Sequence, residues 1–404
     1  MNNPTKQINH KRGIIMDYKL NRAWAEVNLD NIAHNAREIR RVTNKKAEIM
    51  GVVKADAYGH GVMEIARILL SNGVARLAVS MLDEAIQLRN NGIDVPILIL
   101  SYTDPVRAEE IILNDVTQTV FSHDVAKALS EAAVRLKKNI KIHIKIDTGM
   151  TRVGFMPGYS AVKNVVEISK LPGIIIEGLF THFASADEMD RSYTLMQFER
   201  FMSICSELNR IGVYIPIKHV ANSAAIIEYP EMHLNMVRPG VVLYGMYPSE
   251  EVDKNKIDLR PAMTLKANVI LVKDVEEDTC ISYGRIFKTV RESKIATIPI
   301  GYADGYTRLL NTKGKMLING EVTPVVGKIC MDQCMVDVTD LQNEVKVGDE
   351  VVLFGKQGDR EITIEEVAAN IGTINYEVVC IIGKRIPRVY LQNGKVLKVL
   401  NYLI

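Results

Sequence analysis

Val53-Lys54-Ala55-Asp56-Ala57-Tyr58-Gly59-His60-Gly61 places a lysine where a short apolar run, residues 49–53, gives way to a glycine-punctuated loop. A lysine at the end of a strand can present its amine to a cavity and condense with a carbonyl to form a Schiff base. Lys145-Ile146-Asp147-Thr148-Gly149-Met150-Thr151-Arg152 puts a second lysine and an arginine at the end of another β-rich run. Asn222-Ser223-Ala224 and Arg238-Pro239-Gly240-Val241 follow two more such runs, and turns of this kind offer phosphate the backbone N–H groups of a helix start. Taken singly, these segments read as solvated lysines, an ion-pair face or ordinary turn chemistry. Taken together, they need a scaffold that brings several strand ends to one mouth.

The pattern of the chain supplies one. Short β-rich runs at residues 49–53, 77–80, 96–100, 118–121, 140–146, 178–181, 217–220 and 235–237 alternate with helical runs at 63–71, 82–91, 105–113, 124–135, 159–170 and 189–208. Strand-helix repetition implies a parallel sheet, and eight units imply closure into an α/β (β/α)8 TIM barrel over residues 16–255. From 256 to 404 the chain changes to short alternating runs at 265–274, 293–298, 315–318, 321–326, 333–338, 350–354 and 388–391, with one helical stretch at 363–370. A mostly-β C-terminal domain is expected there. A run at 24–29 precedes the first helix, at 32–43, and the pattern leaves open whether it pairs with the second domain or leads into the barrel. Residues 1–15 are polar and patternless and read as a disordered extension, with Met16 an alternative start.

Composition narrows the function. At 404 residues the chain is long for one domain and comfortable for two. Fifty basic against 48 acidic residues leave a formal charge of +2, which argues against a nucleic-acid or membrane-surface role. No apolar run approaches the roughly 20 residues that span a bilayer, and no hydrophobic segment of signal-peptide length opens the chain, so the cytoplasm is the expected location. The five cysteines, Cys205, Cys280, Cys330, Cys334 and Cys380, are scattered and lack the ligand spacing of a zinc cage, so no metal is expected.

The Lys54 segment resembles the pyridoxal-phosphate attachment site of the alanine racemases, and further stretches from about Trp24 to Arg388 resemble the same family. The resemblance implies pyridoxal 5'-phosphate as cofactor, with Lys54 both its anchor and a catalytic base. Lys145 matches a lysine that is carbamylated in the family and supports Arg152 against the cofactor's phenolic oxygen; Thr151 stands where the family often has glycine. Ser223, Gly240 and Val241 match phosphate ligands, completed by the phenols of Tyr58 and Tyr376. Arg238 matches the residue facing the pyridine nitrogen, linked to His182 and His219 in a hydrogen-bonded chain. An always-cationic arginine there should leave that nitrogen unprotonated.

Racemisation needs a proton carrier on each face of a planar carbon. Tyr283 matches the family's second base, reaching the partner's site in a head-to-tail homodimer. An ordinary phenol, with a pKa of about 10, is a poor base at neutral pH, so cations such as His182 and Arg238 must favour its anion. Tyr302 and Met331 match residues that close the substrate entry and contact its carboxylate. The function implied is interconversion of L- and D-alanine, supplying D-alanine for peptidoglycan. A racemase acting on serine or a basic amino acid, or a non-catalytic pyridoxal-phosphate-binding regulatory protein, remains open as an alternative; a barrel decarboxylase would be expected to carry an acid where Arg238 stands.

Overall fold

The structure, a computed structural model, describes residues 22–404. The expected extension over residues 1–15 lies outside the described residues.

The barrel strands are Glu48–Val52, Arg76–Val79, Ile97–Ile99, Thr117–Val120, Ile140–Lys145, Ile174–Phe180, Ile217–His219 and Met236–Val237, paired in parallel in that order, with Met236–Val237 returning beside Glu48–Val52. The remaining seam is closed by Asn235 N–H to Lys218 O at 3.1 Å and Arg238 N–H to Ala221 O at 3.0 Å. These strands are apolar on both faces because helices cover the outside and side chains fill the inside, so the consecutive Ile97, Leu98 and Ile99 are all buried. Side-chain caps define several helix starts: Asn28 for Leu29–Val42, Ser122 for His123–Leu136 and Asn222 for Ser223–Glu228.

The second domain is built on a large sheet in the order Leu271–Val275, Ser293–Ile298, Cys334–Asp337, Glu321–Val326, Lys315–Ile318, Glu350–Gln357, Met263–Asn268, Ala23–Asn28, Arg388–Gln392, Lys395–Leu400, with Arg360–Ile362 paired to Glu350–Gln357. The strand near Trp24, whose place the pattern left open, lies inside this sheet, antiparallel to Met263–Asn268 and parallel to Arg388–Gln392. The N-terminal strand thus ties the two halves of the chain together.

One expectation is corrected. The alternating run at 265–274 is two strands at separate places in the sheet, because at Val269 and Ile270 the backbone switches partners, bonding to Asp349 O at 2.9 Å and Thr297 O at 3.0 Å. The Cys280–Ile281/Phe287–Lys288 hairpin, Arg360–Ile362 and the exposed Lys395–Leu400 carry too little apolar alternation to be read from sequence.

Candidate active site

Lys54 follows its barrel strand directly and opens a short turn, Lys54–Tyr58, of uncommon hand. Ala55, Asp56, Ala57 and Tyr58 have φ of 52°, 54°, 55° and 52°, the left-handed region, which costs an L-residue about 1–2 kcal/mol each. Specific contacts hold it. The Glu84 carboxylate accepts from the N–H groups of Ala55 (2.6 Å) and Ser80 (2.7 Å), and Asp56 accepts from Val62 N–H at 2.8 Å. The second domain adds the Tyr402 hydroxyl, which donates to Asp56, and the Arg388 guanidinium, which donates to Gly59 O at 2.9 Å. Burial and then the positive charge of Arg152 hold the Lys54 amine below the usual lysine range, favouring the nucleophilic free base.

A cavity of about 590 Å³ opens beside it, lined by Lys54, Tyr58, Lys145, Arg152, His182, Ser223, Arg238, Gly240, Val241 and Tyr376 among others. Strand ends and the loops after them bring these residues to one mouth. Tyr376 comes from the second domain, on the helix Asn375–Cys380, which is anchored to the barrel by Asn375 Nδ2 donating to Tyr247 O at 2.9 Å.

The residues fit pyridoxal phosphate in size and chemistry. Gly240 N–H donates to Ser223 Oγ at 2.9 Å, and a Cβ on Gly240 would stand 2.8 Å from the Tyr58 hydroxyl, so only glycine keeps that cradle open. Ser223, Ala224 and Val241 are the first residues of their helical turns, whose N–H groups have no intrahelical acceptor and point outward as phosphate donors do. The Tyr58 ring packs against Tyr244 at 4.8 Å and Tyr376 at 6.3 Å between centroids, walling the same end.

Arg238 lies at the cavity floor, almost wholly buried. Its guanidinium donates to Thr181 O (2.8 Å), Val220 O (3.0 Å), His219 O (3.0 Å), His219 Nδ1 (2.9 Å) and His182 Nδ1 (3.3 Å). Burial, with Arg152 nearby, lowers it to about 9, which leaves it cationic at neutral pH. Lys145 sits in contact with the Phe180 ring, 4.5 Å from its centroid. Burial first, then Arg238 and Arg152, hold its amine far below the usual range, which favours its uncharged form. His182 corrects an expectation: burial first, then the basic groups of Lys145 and Arg238 beside it, keep it well below the usual histidine range, hence uncharged.

Thr151 has φ 54°, held by its N–H donating to Asp147 Oδ1 at 2.8 Å. A β-branched residue is strained there. Thr151→Gly is expected to leave the site intact and raise stability by up to about 1 kcal/mol, glycine's entropic cost offsetting part of the relief. A lower melting temperature in thermal denaturation would contradict the strain argument.

Tyr283, Tyr302 and Met331 do not line this cavity. They gather on the second domain, where Tyr302 N–H donates to Cys330 O at 3.1 Å, Ala303 N–H to Met331 O at 3.0 Å and Ser282 Oγ to Lys328 O at 2.6 Å. They are 71%, 42% and 52% exposed, a surface cluster on the chain that carries it. His219 is buried behind Arg238 rather than in the cavity wall. The sequence reading missed Asp187, Glu84 and Cys380; Cys380 lines the cavity one helical turn from Tyr376, so the i, i+4 spacing was its signal.

The family model of the alanine racemase N-terminal domain matches residues 27–248, and that of the C-terminal domain matches residues 262–390. Alanine racemase 1 of Clostridium acetobutylicum is 54% identical over 380 residues, spanning 94% of this chain and 98% of that protein. The alanine racemase of Methanococcus maripaludis is 54% identical over 369 residues, spanning 91% and 98%. The solved structure of the Clostridium difficile 630 alanine racemase superposes with a TM-score of 0.91 at 47% identity, over 95% of this chain and 99% of that one. A Bacillus anthracis alanine racemase with bound L-Ala-P gives 0.90 at 39%, over 95% and 98%. With both domains matched and near-complete coverage at about half identity, the chain belongs to the alanine racemase family.

Proposed function

We propose that this protein is a pyridoxal-phosphate-dependent racemase that interconverts L- and D-alanine, acting as a head-to-tail homodimer. The observation that carries the reading is Lys54, with its amine held toward the free base, at the wall of a cavity that also presents Arg152, Arg238 and the Gly240 cradle. Bound there, pyridoxal phosphate would supply an electron-withdrawing ring conjugated to the substrate's α-carbon, which acidifies the α-proton.

The protein's residues then have distinct tasks. Lys54 Nζ would hold the cofactor and, as a free amine, would take or return the proton on one face of the α-carbon. Ser223, Gly240 and Val241, with Tyr58 and Tyr376, would hold the phosphate. Arg238, a cation at the cavity floor, would stand toward the ring nitrogen and disfavour its protonation, which would temper the ring's electron withdrawal. Tyr283 serves the opposite face; its exposed position outside its own chain's cavity suits delivery into a second copy. Tyr302 and Met331 arrive with it and narrow the entry for a methyl side chain. Lys145, its amine shifted toward the free base by burial and by Arg238 and Arg152, is suited to add to carbon dioxide with release of a proton, giving an anion that would steady Arg152. Protein equilibrated with ¹³C-labelled bicarbonate is expected to show a carbamate carbon by NMR, and a spectrum unchanged by Lys145→Ala would remove that role.

A cytoplasmic enzyme of this kind would supply D-alanine for peptidoglycan. The deciding experiment is loss of optical activity across an amino-acid panel, with purified protein and pyridoxal phosphate. Racemisation confined largely to alanine is expected, with slow serine turnover, since a pocket discriminates small side-chain differences by only about 1–3 kcal/mol. Fast turnover of serine or lysine would overturn the assignment of Tyr302 and Met331. Bound cofactor without turnover would favour a regulatory protein.

A further inference from the structure

Arg238 is a buried cation whose hydrogen-bond acceptors are all neutral: three backbone carbonyls and the rings of His182 and His219. A buried charge needs compensation. Following the hydrogen bonds inward finds it. Arg238 Nη1 can only donate, so His219 accepts at Nδ1 and, being neutral, carries its proton on Nε2. That nitrogen lies 2.9 Å from His143 Nδ1, which must therefore accept, leaving the His143 proton on Nε2, 3.1 Å from Glu177 Oε2. Starting from the other end gives the same order, since a carboxylate only accepts. No donor faces a donor anywhere along the chain.

The path is built for this purpose at several points. Glu177 is the extra residue of a β-bulge, where Ile142 pairs with Ile176 but His143 pairs with Gly178. A bulge re-aims the side chain it carries. A Cβ on Gly178 would stand 2.4 Å from His143 Nδ1, so the imidazole fits only over a glycine. Phe180 stacks on His219 with centroids 4.6 Å apart and planes at 5°. Glu177 is itself held by Arg76 Nη1 at 2.8 Å and Lys141 Nζ at 3.2 Å, near the strand starts, at the end of the barrel away from Lys54.

We propose that Glu177 is the remote counter-charge of Arg238 and a positioning residue for it, acting through His143 and His219 to fix the guanidinium at the cofactor's ring nitrogen. The link to the ring nitrogen rests on the function proposed above; the hydrogen-bonded order does not. Burial disfavours the charged form of both imidazoles, in keeping with their neutrality in this chain. Each bond in such a directed chain polarises the next.

The test is ¹⁵N NMR of the full-length protein labelled at histidine and arginine, with and without pyridoxal phosphate, at pH 7. His143 and His219 are expected as neutral Nε2–H tautomers, and an imidazolium or an Nδ1–H tautomer at either would overturn the proposal. Glu177→Gln keeps an acceptor but removes the charge. It is expected to shift the Arg238 resonances and lower kcat roughly tenfold with KM little changed. Lys141→Met, which removes only the exposed partner of the same carboxylate, should leave both as in the parent protein. A Glu177→Gln protein with a lower melting temperature but unaltered Arg238 resonances and kcat would make Glu177 merely structural and sink the idea. If that variant fails to fold, the tautomers of the unaltered protein still decide. Those signals are read without substrate, so the expected tautomers in a protein that racemises nothing would refute the function and not the relay. Reversed tautomers in an active racemase would refute the relay alone.

Discussion

Lys54→Ala is expected to lower racemisation by on the order of 10³-fold or more, since it removes both the cofactor's anchor and one of the two proton carriers. The same variant should lose the absorbance near the visible edge that covalent attachment to lysine gives, while still binding the cofactor weakly through the phosphate cradle. Folding should survive. The turn that carries Lys54 is held by Glu84, Asp56, Tyr402 and Arg388, none of which bonds to the lysine amine. Removing an amine whose protonated form is disfavoured by burial leaves no buried charge unpaired. A melting temperature near that of the parent protein would therefore attribute the loss to chemistry. Retention of both activity and absorbance would remove Lys54 from the mechanism.

The barrel was legible because its strands are short apolar runs between amphipathic helices, a pattern that parallel sheets covered on both faces impose. The second domain was harder. Several of its strands pair across long sequence separations, and an alternating run such as 265–274 does not reveal that the backbone changes partners midway. The strand Ala23–Asn28 was visible as a strand, but its neighbours, Met263–Asn268 and Arg388–Gln392, lie more than 230 residues away and nothing local names them.

The site divides in the same way. Lys54, Ser223 and Gly240 follow strand ends directly, so their convergence follows from the barrel itself. Arg152 and Tyr376 came from the family resemblance, and the structure places both at the same cavity. The charge of His182 was read wrongly because burial beside Lys145 and Arg238 is a tertiary fact. Glu177 escaped notice for a related reason. A glutamate in the middle of a strand, followed by glycine, looks like a solvated edge until the bulge turns it inward toward His143.

Tyr283→Phe is expected to lower racemisation by roughly 10²- to 10⁴-fold, because the phenol carries the proton on the face opposite Lys54. Alanine's two enantiomers are equally stable, so kcat/KM must fall equally in both directions. The asymmetry has to be sought in α-proton exchange. In deuterated water, the enantiomer whose proton faces Lys54 should still exchange without inverting, while the other should not. Equal exchange of both at parental rates would contradict the assignment of one carrier to each face. Mixing tests where the tyrosine acts. If Tyr283 serves the partner's cavity, a heterodimer of Lys54→Ala and Tyr283→Phe chains holds one site with both defects and one with neither. Co-refolded equimolar chains should then recover about a quarter of the parental activity, as random pairing in a two-fold dimer requires. If Tyr283 instead served its own chain, every site in the mixture would lack one carrier, and mixing would restore nothing.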